Sequence, residues 1–248
     1  YTSQMQWCVD NQNSLNIAFV SHMGDVVDYE DNTADWVFAS NVQALIDNAD
    51  IPNGITVGNH DNHSAVYSGT HNYYLDYFNH SRYSGFSWYG GSYLNDYQNN
   101  YQLFSAGGME FIVIHLQWGI KDNSAAMSWA SGLLSTYSTR RAIVVTHGIL
   151  ETDGTAVWDN VAKQHDNVFM YLGGHTCGGV WRDTPLNNYG NPVQKLKIDY
   201  QCEPYGGNGK LGYFTFKPNL DEVDFTVYST WTDTYHTADD FSFSFQMP

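Results

Sequence analysis

The chain has 248 residues, enough for one large domain or two small ones, and no Pro-, Ser- or Gly-rich linker divides it, so a single domain over 1–248 is expected. Its 26 acidic residues against 10 basic ones give a formal charge of −16, which argues against nucleic-acid scaffolds and anionic membrane surfaces as partners. No apolar run approaches the roughly 20 residues of a membrane helix, and the 19 Tyr and 22 Gly beside very little Lys read as an extracellular or cell-surface composition.

Ser3 to Asn13 sets Met5, Trp7, Cys8 and Val9 among polar residues, the pattern of a helix packed by one face. A buried strand is expected over Asn16 to Ser21, followed by Gly24-Asp25. Thr33 to Ala49 reads as an amphipathic helix, with Trp36, Val37, Ala44, Leu45 and Ile46 near helical spacing and acidic residues at its start. Ile55 to Val57 is the next strand and delivers Gly58-Asn59-His60-Asp61.

From His63 to Gly108 the periodicity dissolves into a Tyr-, Asn-, Ser- and Gly-rich stretch, read as an irregular insert whose aromatics pack against their own domain. Within it, Tyr73, Tyr74, Tyr77 and Phe78 suit a short helix. Strand Phe111 to Leu116, helix Ser124 to Tyr137, strand Ala142 to Thr146, helix Thr155 to His165 and strand Val168 to Leu172 follow, an alternation that implies a layered α/β core. After Gly179 only strands are expected: Leu196 to Gln201, Leu211 to Phe216 and Val223 to Tyr228, pairing as an antiparallel second sheet or a sheet extension.

Four polar blocks stand at the ends of these apolar runs: Gly24-Asp25, Gly58-Asn59-His60-Asp61, Thr146-His147-Gly148 and Gly174-His175-Thr176-Cys177. Side chains delivered from separate strand ends converge above a sheet, the usual place for a site in an α/β fold. Asp, Asn and His are oxygen and nitrogen donors suited to a divalent first-row metal working on phosphate or carboxyl chemistry. A lone His is more often a structural residue, but shared placement after four strands makes Asp25, Asn59, His147 and His175 candidate ligands. His22, His63, His71, His115 and His165 read as loop, surface or core residues, and Asp28 as a residue that fixes its loop.

In order and spacing, Gly24-Asp25-Val26-Val27-Asp28, Gly58-Asn59-His60-Asp61, His147 and Gly174-His175-Thr176-Cys177 resemble the GDxx(D), GNH(D/E), lone-His and GHxH blocks of the calcineurin-like metallophosphoesterases. Asp199-Tyr200-Gln201 and Gly206-Gly207-Asn208-Gly209 extend the likeness to secreted bacterial members. The resemblance implies a four-layer αββα sandwich and hydrolysis of phosphate mono- or diesters of a small phosphorylated substrate by a metal-bound hydroxide. It further implies that Asp25 bridges two divalent ions (Zn, Fe or Mn), with Asn59, His147 and His175 completing the second ion's shell. His60 would lie beside the scissile phosphate, oriented by Asp61.

The family's first block, DxH or DxQ on an opening strand, has no counterpart between Tyr1 and Ser21, so a binuclear site would draw it from upstream of Tyr1. Tyr1 is not a start residue, which fits a leader or pro-segment removed upstream. Cys177 stands where the last histidine of GHxH belongs, and three readings stay open for it: a metal ligand, a disulfide with Cys202, or a free thiol. Cys8 reads as a small buried hydrophobe, and Asn62-His63-Ser64 and Asn79-His80-Ser81 match the N-glycan acceptor pattern. The alternative function is a degenerate family member, catalytically weak or inactive, serving as an extracellular structural or ligand-binding module.

Overall fold

The computed structural model describes residues 1–61, 72–236 and 243–246. Asn62, His63 and His71 lie outside the described residues. The chain opens with helix α1 (Thr2–Asp10), which stops short of the expected Asn13, and strand β1 (Val20–His22). Helix α2 (Thr33–Asn48) begins where Asn32 caps it, its side-chain oxygen accepting from the Ala34 N–H at 3.1 Å. Strand β2 (Asn53–Ile55) lies parallel to β1, with Val20 opposite Asn53.

Part of the stretch that lacked periodicity is ordered. It holds short helices α3 (Tyr74–Tyr77) and α4 (His80–Tyr83) and strands β3 (Tyr89–Ser92) and β4 (Asn100–Ala106). Its aromatics turn inward: Tyr74, Phe78, Tyr83 and Tyr97 are fully buried with Trp36 of α2, and the Tyr83 and Tyr97 rings stack at 4.1 Å. Strand β5 (Met109–Leu116), helix α5 (Ser124–Thr136), strand β6 (Arg141–Thr146), helix α6 (Thr152–Asn160) and strand β7 (Val168–Gly173) follow as the pattern predicts. Asn123 caps α5 through a bond from the Ala126 N–H at 3.0 Å. Then come strands β8 (Gly179–Asp183), β9 (Gln194–Asp199), β10 (Lys210–Lys217), β11 (Glu222–Ser229), β12 (Thr234–His236) and β13 (Phe243–Gln246).

The large sheet runs β3-β4-β5-β6-β7-β9-β8. Its centre, β5 to β9, is parallel, and antiparallel pairs close both edges. The two-residue period of β5 sorts its side chains. Ile112, Ile114 and Leu116 pack on Ala126, Ala130 and Leu134 of α5 and Val157 of α6. Phe111 and Val113 face the other way, against Val223 of β11 and the half-buried Phe214 and Phe216 of β10. The β10–β11 ladder, with β12 and β13 on β11, is thus a second sheet stacked on the first. Outside it, Trp7 of α1 lies against Tyr213 and Tyr228, while Met5 and Cys8 pack on Val42 and Ile46 of α2. The layers run α1 and α2, the small sheets, the large sheet, then α5 and α6. Cys8 is the small buried hydrophobe its context predicts. Among the described residues, no helix is long and apolar enough to cross a membrane.

Candidate metal centre

Two glycines let the first two blocks meet. After β1 the chain turns through Gly24 at φ +96°, where an added Cβ would stand 2.5 Å from Nδ1 of His147. After β2, an added Cβ on Gly58 would lie 2.1 Å from Oδ1 of Asp25. That oxygen accepts the His60 backbone N–H at 2.9 Å, so the two strand ends are tied by the carboxylate itself. Gly58→Ala is expected to push Asp25 aside, lowering affinity for Mn2+ by roughly tenfold or more, as loss of a ligand's support does. The clash should also cost about 1–3 kcal/mol of stability. Calorimetric titration and urea unfolding measure the two effects.

His147 follows β6 directly and is buried. Its Nδ1 lies 2.7 Å from the carbonyl oxygen of Met23; a carbonyl only accepts, so Nδ1 carries the proton and donates it. Nε2 is thereby turned toward three groups: Oδ2 of Asp25 at 3.2 Å, Oδ1 of Asn59 at 3.1 Å and Nδ1 of His175 at 3.2 Å. Donor atoms of Asp25, His147 and His175 all lie within 4.8 Å of one another, and Asn59 joins them through His147.

The donor chemistry fits a cation. In a neutral His147, the Nε2 lone pair faces a carboxylate oxygen and an amide oxygen, both acceptors; a single proton on Nε2 satisfies only one of them at a time. A divalent ion accepts lone pairs from all of them together. The electrostatics agree. Burial opposes charge on His147, but the hydrogen bond and charge of Asp25 outweigh it and raise its pKa. Burial likewise works against Asp25, yet the same partner draws its pKa down. The pKa of His175 is lowered, first by burial and then by the charge His147 carries when protonated, which keeps one of its ring nitrogens available as a lone-pair donor.

His60 sits on the rim. Its Nδ1 lies 2.8 Å from the Asp28 carbonyl and 3.5 Å from that residue's carboxylate. Its half-exposed ring lines a cleft of about 500 Å³ with Asp25, Val26, Val27, Asp28, Gln201 and Cys202. Asp28 therefore helps to orient His60, beyond the loop-fixing role expected of it.

Asp61 takes a different part from the one anticipated. Buried, it spends both oxygens on backbone: Oδ1 accepts from Val26 at 2.7 Å and Val27 at 3.1 Å, and Oδ2 from Gly58 at 2.8 Å. Burial is the largest influence on it, only partly offset by those bonds, and pushes its pKa up to about 6. It clamps the loop after β1 to the loop after β2.

Of the three readings open for Cys177, metal ligand, disulfide or free thiol, the structure shows the disulfide. Its sulfur is bonded to that of Cys202, with the Cα atoms 5.6 Å apart, so it offers no ligand to the centre. The physical reason is the β8–β9 pairing: Gly179 stands opposite Asp199, so the segments just beyond that ladder run side by side.

Three contributors carried no signal in the blocks. The Met23 carbonyl sets the His147 tautomer. Trp118, whose ring centroid lies 4.6 Å from that of His175 and 5.8 Å from that of His147, walls the centre, and its place directly after β5 was the available clue. Gln201 lines the cleft.

Fold and donor set define the class: a layered α/β protein with an oxygen- and nitrogen-lined candidate cation centre at its strand ends. The chain belongs to the calcineurin-like phosphoesterase family, whose model matches residues 4–179. It is 32% identical over 267 residues to the uncharacterized protein YvnB of Bacillus subtilis (strain 168), a match covering all of this chain and 20% of that protein. It is also similar to the solved structure of the Haemophilus influenzae NAD nucleotidase, at 12% identity and a TM-score of 0.46, over 99% of this chain and 47% of the other. The chain thus spans about a fifth of the length of the curated relative it matches.

Proposed function

We propose that this chain carries the metal-dependent centre of an extracellular or cell-surface hydrolase of phosphate mono- or diesters, acting on a small phosphorylated substrate. One observation carries the reading: donor atoms of Asp25, Asn59 and His175, each from a different strand end, converge on a fourth donor, Nε2 of His147. Asp25, Asn59, His147 and His175 would hold a divalent ion, Zn, Fe or Mn, with Asp25 the residue placed to bridge to a second. Such an ion supplies Lewis-acid polarisation of a phosphoryl oxygen. That charge matters on a protein of net charge −16, whose field otherwise repels an anionic ester. His60, with Nδ1 held at the Asp28 carbonyl on the edge of the cleft, is the group placed to stabilise or protonate a leaving oxygen. The Cys177–Cys202 disulfide favours the oxidising setting of that localisation.

A second reading, a degenerate member that binds ligand without turnover, is favoured by the same disulfide, which takes the last family ligand position out of coordination. Turnover of 4-nitrophenyl phosphate and bis(4-nitrophenyl) phosphate, assayed with Mn2+, Zn2+ and Fe2+ after removal of bound metal by chelator, decides between them. The hydrolase reading expects hydrolysis of at least one ester that disappears with the chelator and returns with metal. A protein that binds metal by calorimetry yet turns over neither ester with any of the three is the degenerate member.

A further inference from the structure

His175 is the donor that stands beside the cystine. The chain reaches it from the end of β7 with His175 itself in the left-handed region, φ +70°, and Gly178 and Gly179 at +106° and +67°. A non-glycine residue stays there only where its surroundings fix it. Two backbone bonds help to do so: the Gly174 N–H donates to the carbonyl of His147 at the neighbouring strand end, and the Thr176 N–H to the Gly174 carbonyl, each at 2.9 Å. Two residues beyond His175 comes Cys177, and its bond to Cys202 crosses 25 residues of sequence to the segment that, with Gln201, lines the cleft. Both segments lie past the end of the β8–β9 ladder, so the cystine is their covalent brace. Asp25 and His147 have anchors of their own, in the His60 N–H and the Met23 carbonyl.

The geometry points to the Cys177–Cys202 disulfide as the positioning element for the ligand His175, which makes the cation affinity of the centre depend on the oxidation state of that cystine. This rests on the cation-binding reading of Asp25, His147 and His175. Both cysteines are exposed, so a dithiol in solution reaches the bond. Its thiolate attacks one sulfur, the Cys177–Cys202 bond breaks, and a mixed disulfide forms; the second thiol displaces it. Two electrons and two protons pass to the protein, leaving two cysteine thiols, and the dithiol departs as its own disulfide. The His175 loop then loses its covalent tie to the cleft wall, keeping only the Lys197 ammonium on the Cys177 carbonyl at 3.2 Å and the β8–β9 pairing beyond it, while Asp25 and His147 keep their anchors.

The test is calorimetric titration of the full chain with Mn2+ in three states: oxidised, reduced with dithiothreitol and desalted under nitrogen, and reoxidised. Circular dichroism at the titration temperature confirms that each state is folded, and C177S/C202S provides the reduced geometry without a reductant. Reduction is expected to weaken Mn2+ binding by roughly tenfold or more, the scale of losing a group that orients a ligand, and reoxidation to restore it. Because the brace acts through His175, reduction of His175→Ala should add no further loss. Equal affinity in folded oxidised and reduced protein overturns the proposal and leaves the cation site standing, as does a reduction penalty that persists in full in His175→Ala. Oxidised wild-type protein that binds no Mn2+ overturns the cation-site reading itself, and the proposal with it.

Discussion

Replacing His147 by alanine is expected to abolish measurable Mn2+ binding and, with it, any phosphoester turnover. The residue touches every other donor: Asp25, Asn59 and His175 each approach its Nε2 within 3.2 Å. Loss of a group that merely orients a ligand costs about 10- to 100-fold in affinity. Removing the shared donor deletes a ligand and also frees the carboxylate and amide it holds in place, so a loss of at least about 100-fold follows. His60→Ala supplies the contrast. The bond from residue 60 to Asp25 comes from its backbone N–H, which alanine keeps, so affinity should hold while turnover falls by about 10²- to 10⁴-fold, the range for a general acid. Mn2+ titration beside steady-state kinetics separates the two variants. Retained affinity in His147→Ala would show that the convergence is a hydrogen-bonded cluster and not a cation site.

The ligands were legible in the sequence because each stands at the boundary between a strand and a turn, where apolar periodicity stops and a polar residue is conspicuous. Asp25, Asn59, His147 and His175 accordingly meet in space. What the sequence hid was any element whose buried positions are polar. Strand β4 buries Asn100 and Gln102; the Asn100 amide donates to the carbonyls of Ile55 and Tyr97, and that of Gln102 to the Asn100 side chain. Pairing the amide N–H groups lowers the cost of burying these residues, although Gln102 Oε1 meets no partner among the described residues, and the polar side chains erase the apolar signal that marks a strand. Strand β8 was missed for the opposite reason: it is an edge whose last three residues, Trp181, Arg182 and Asp183, are exposed, so no alternation announces it. Without β8 the disulfide could not be ranked above the other two readings of Cys177, because the β8–β9 pairing is what sets their segments side by side. The loop-clamping contacts of Asp61 were hidden on similar grounds. Its partners are backbone N–H groups, which every sequence has and none displays.

Below neutral pH, the unused core histidine His115 is expected to be a leading cause of lost stability. It sits in β5 between the two sheets, fully buried, with Nε2 3.0 Å from the Ser21 hydroxyl and its ring beside Phe19. No hydrogen-bond partner meets its buried Nδ1 among the described residues. An imidazolium needs an acceptor at both nitrogens, so charging this ring would strand an N–H in the core. Burial, followed by the nearby His22, accordingly pushes its pKa down to about 3. The unfolded chain takes up that proton near pH 6.5 and the folded chain does not, so the unfolded state binds more protons below 6.5 and stability falls as pH falls. The slope from this one residue is about 1.4 kcal/mol per pH unit, lost progressively from about pH 6.5 toward about pH 3. His115→Gln keeps a polar group for Ser21 but cannot titrate. The stability difference between wild type and variant, from urea unfolding at pH 7, 6, 5 and 4.5, should therefore shift toward the variant at about that slope below pH 6.5. A difference that stays constant with pH would mean that the folded protein protonates His115 as readily as the unfolded chain does, and that the core around β5 admits a charge.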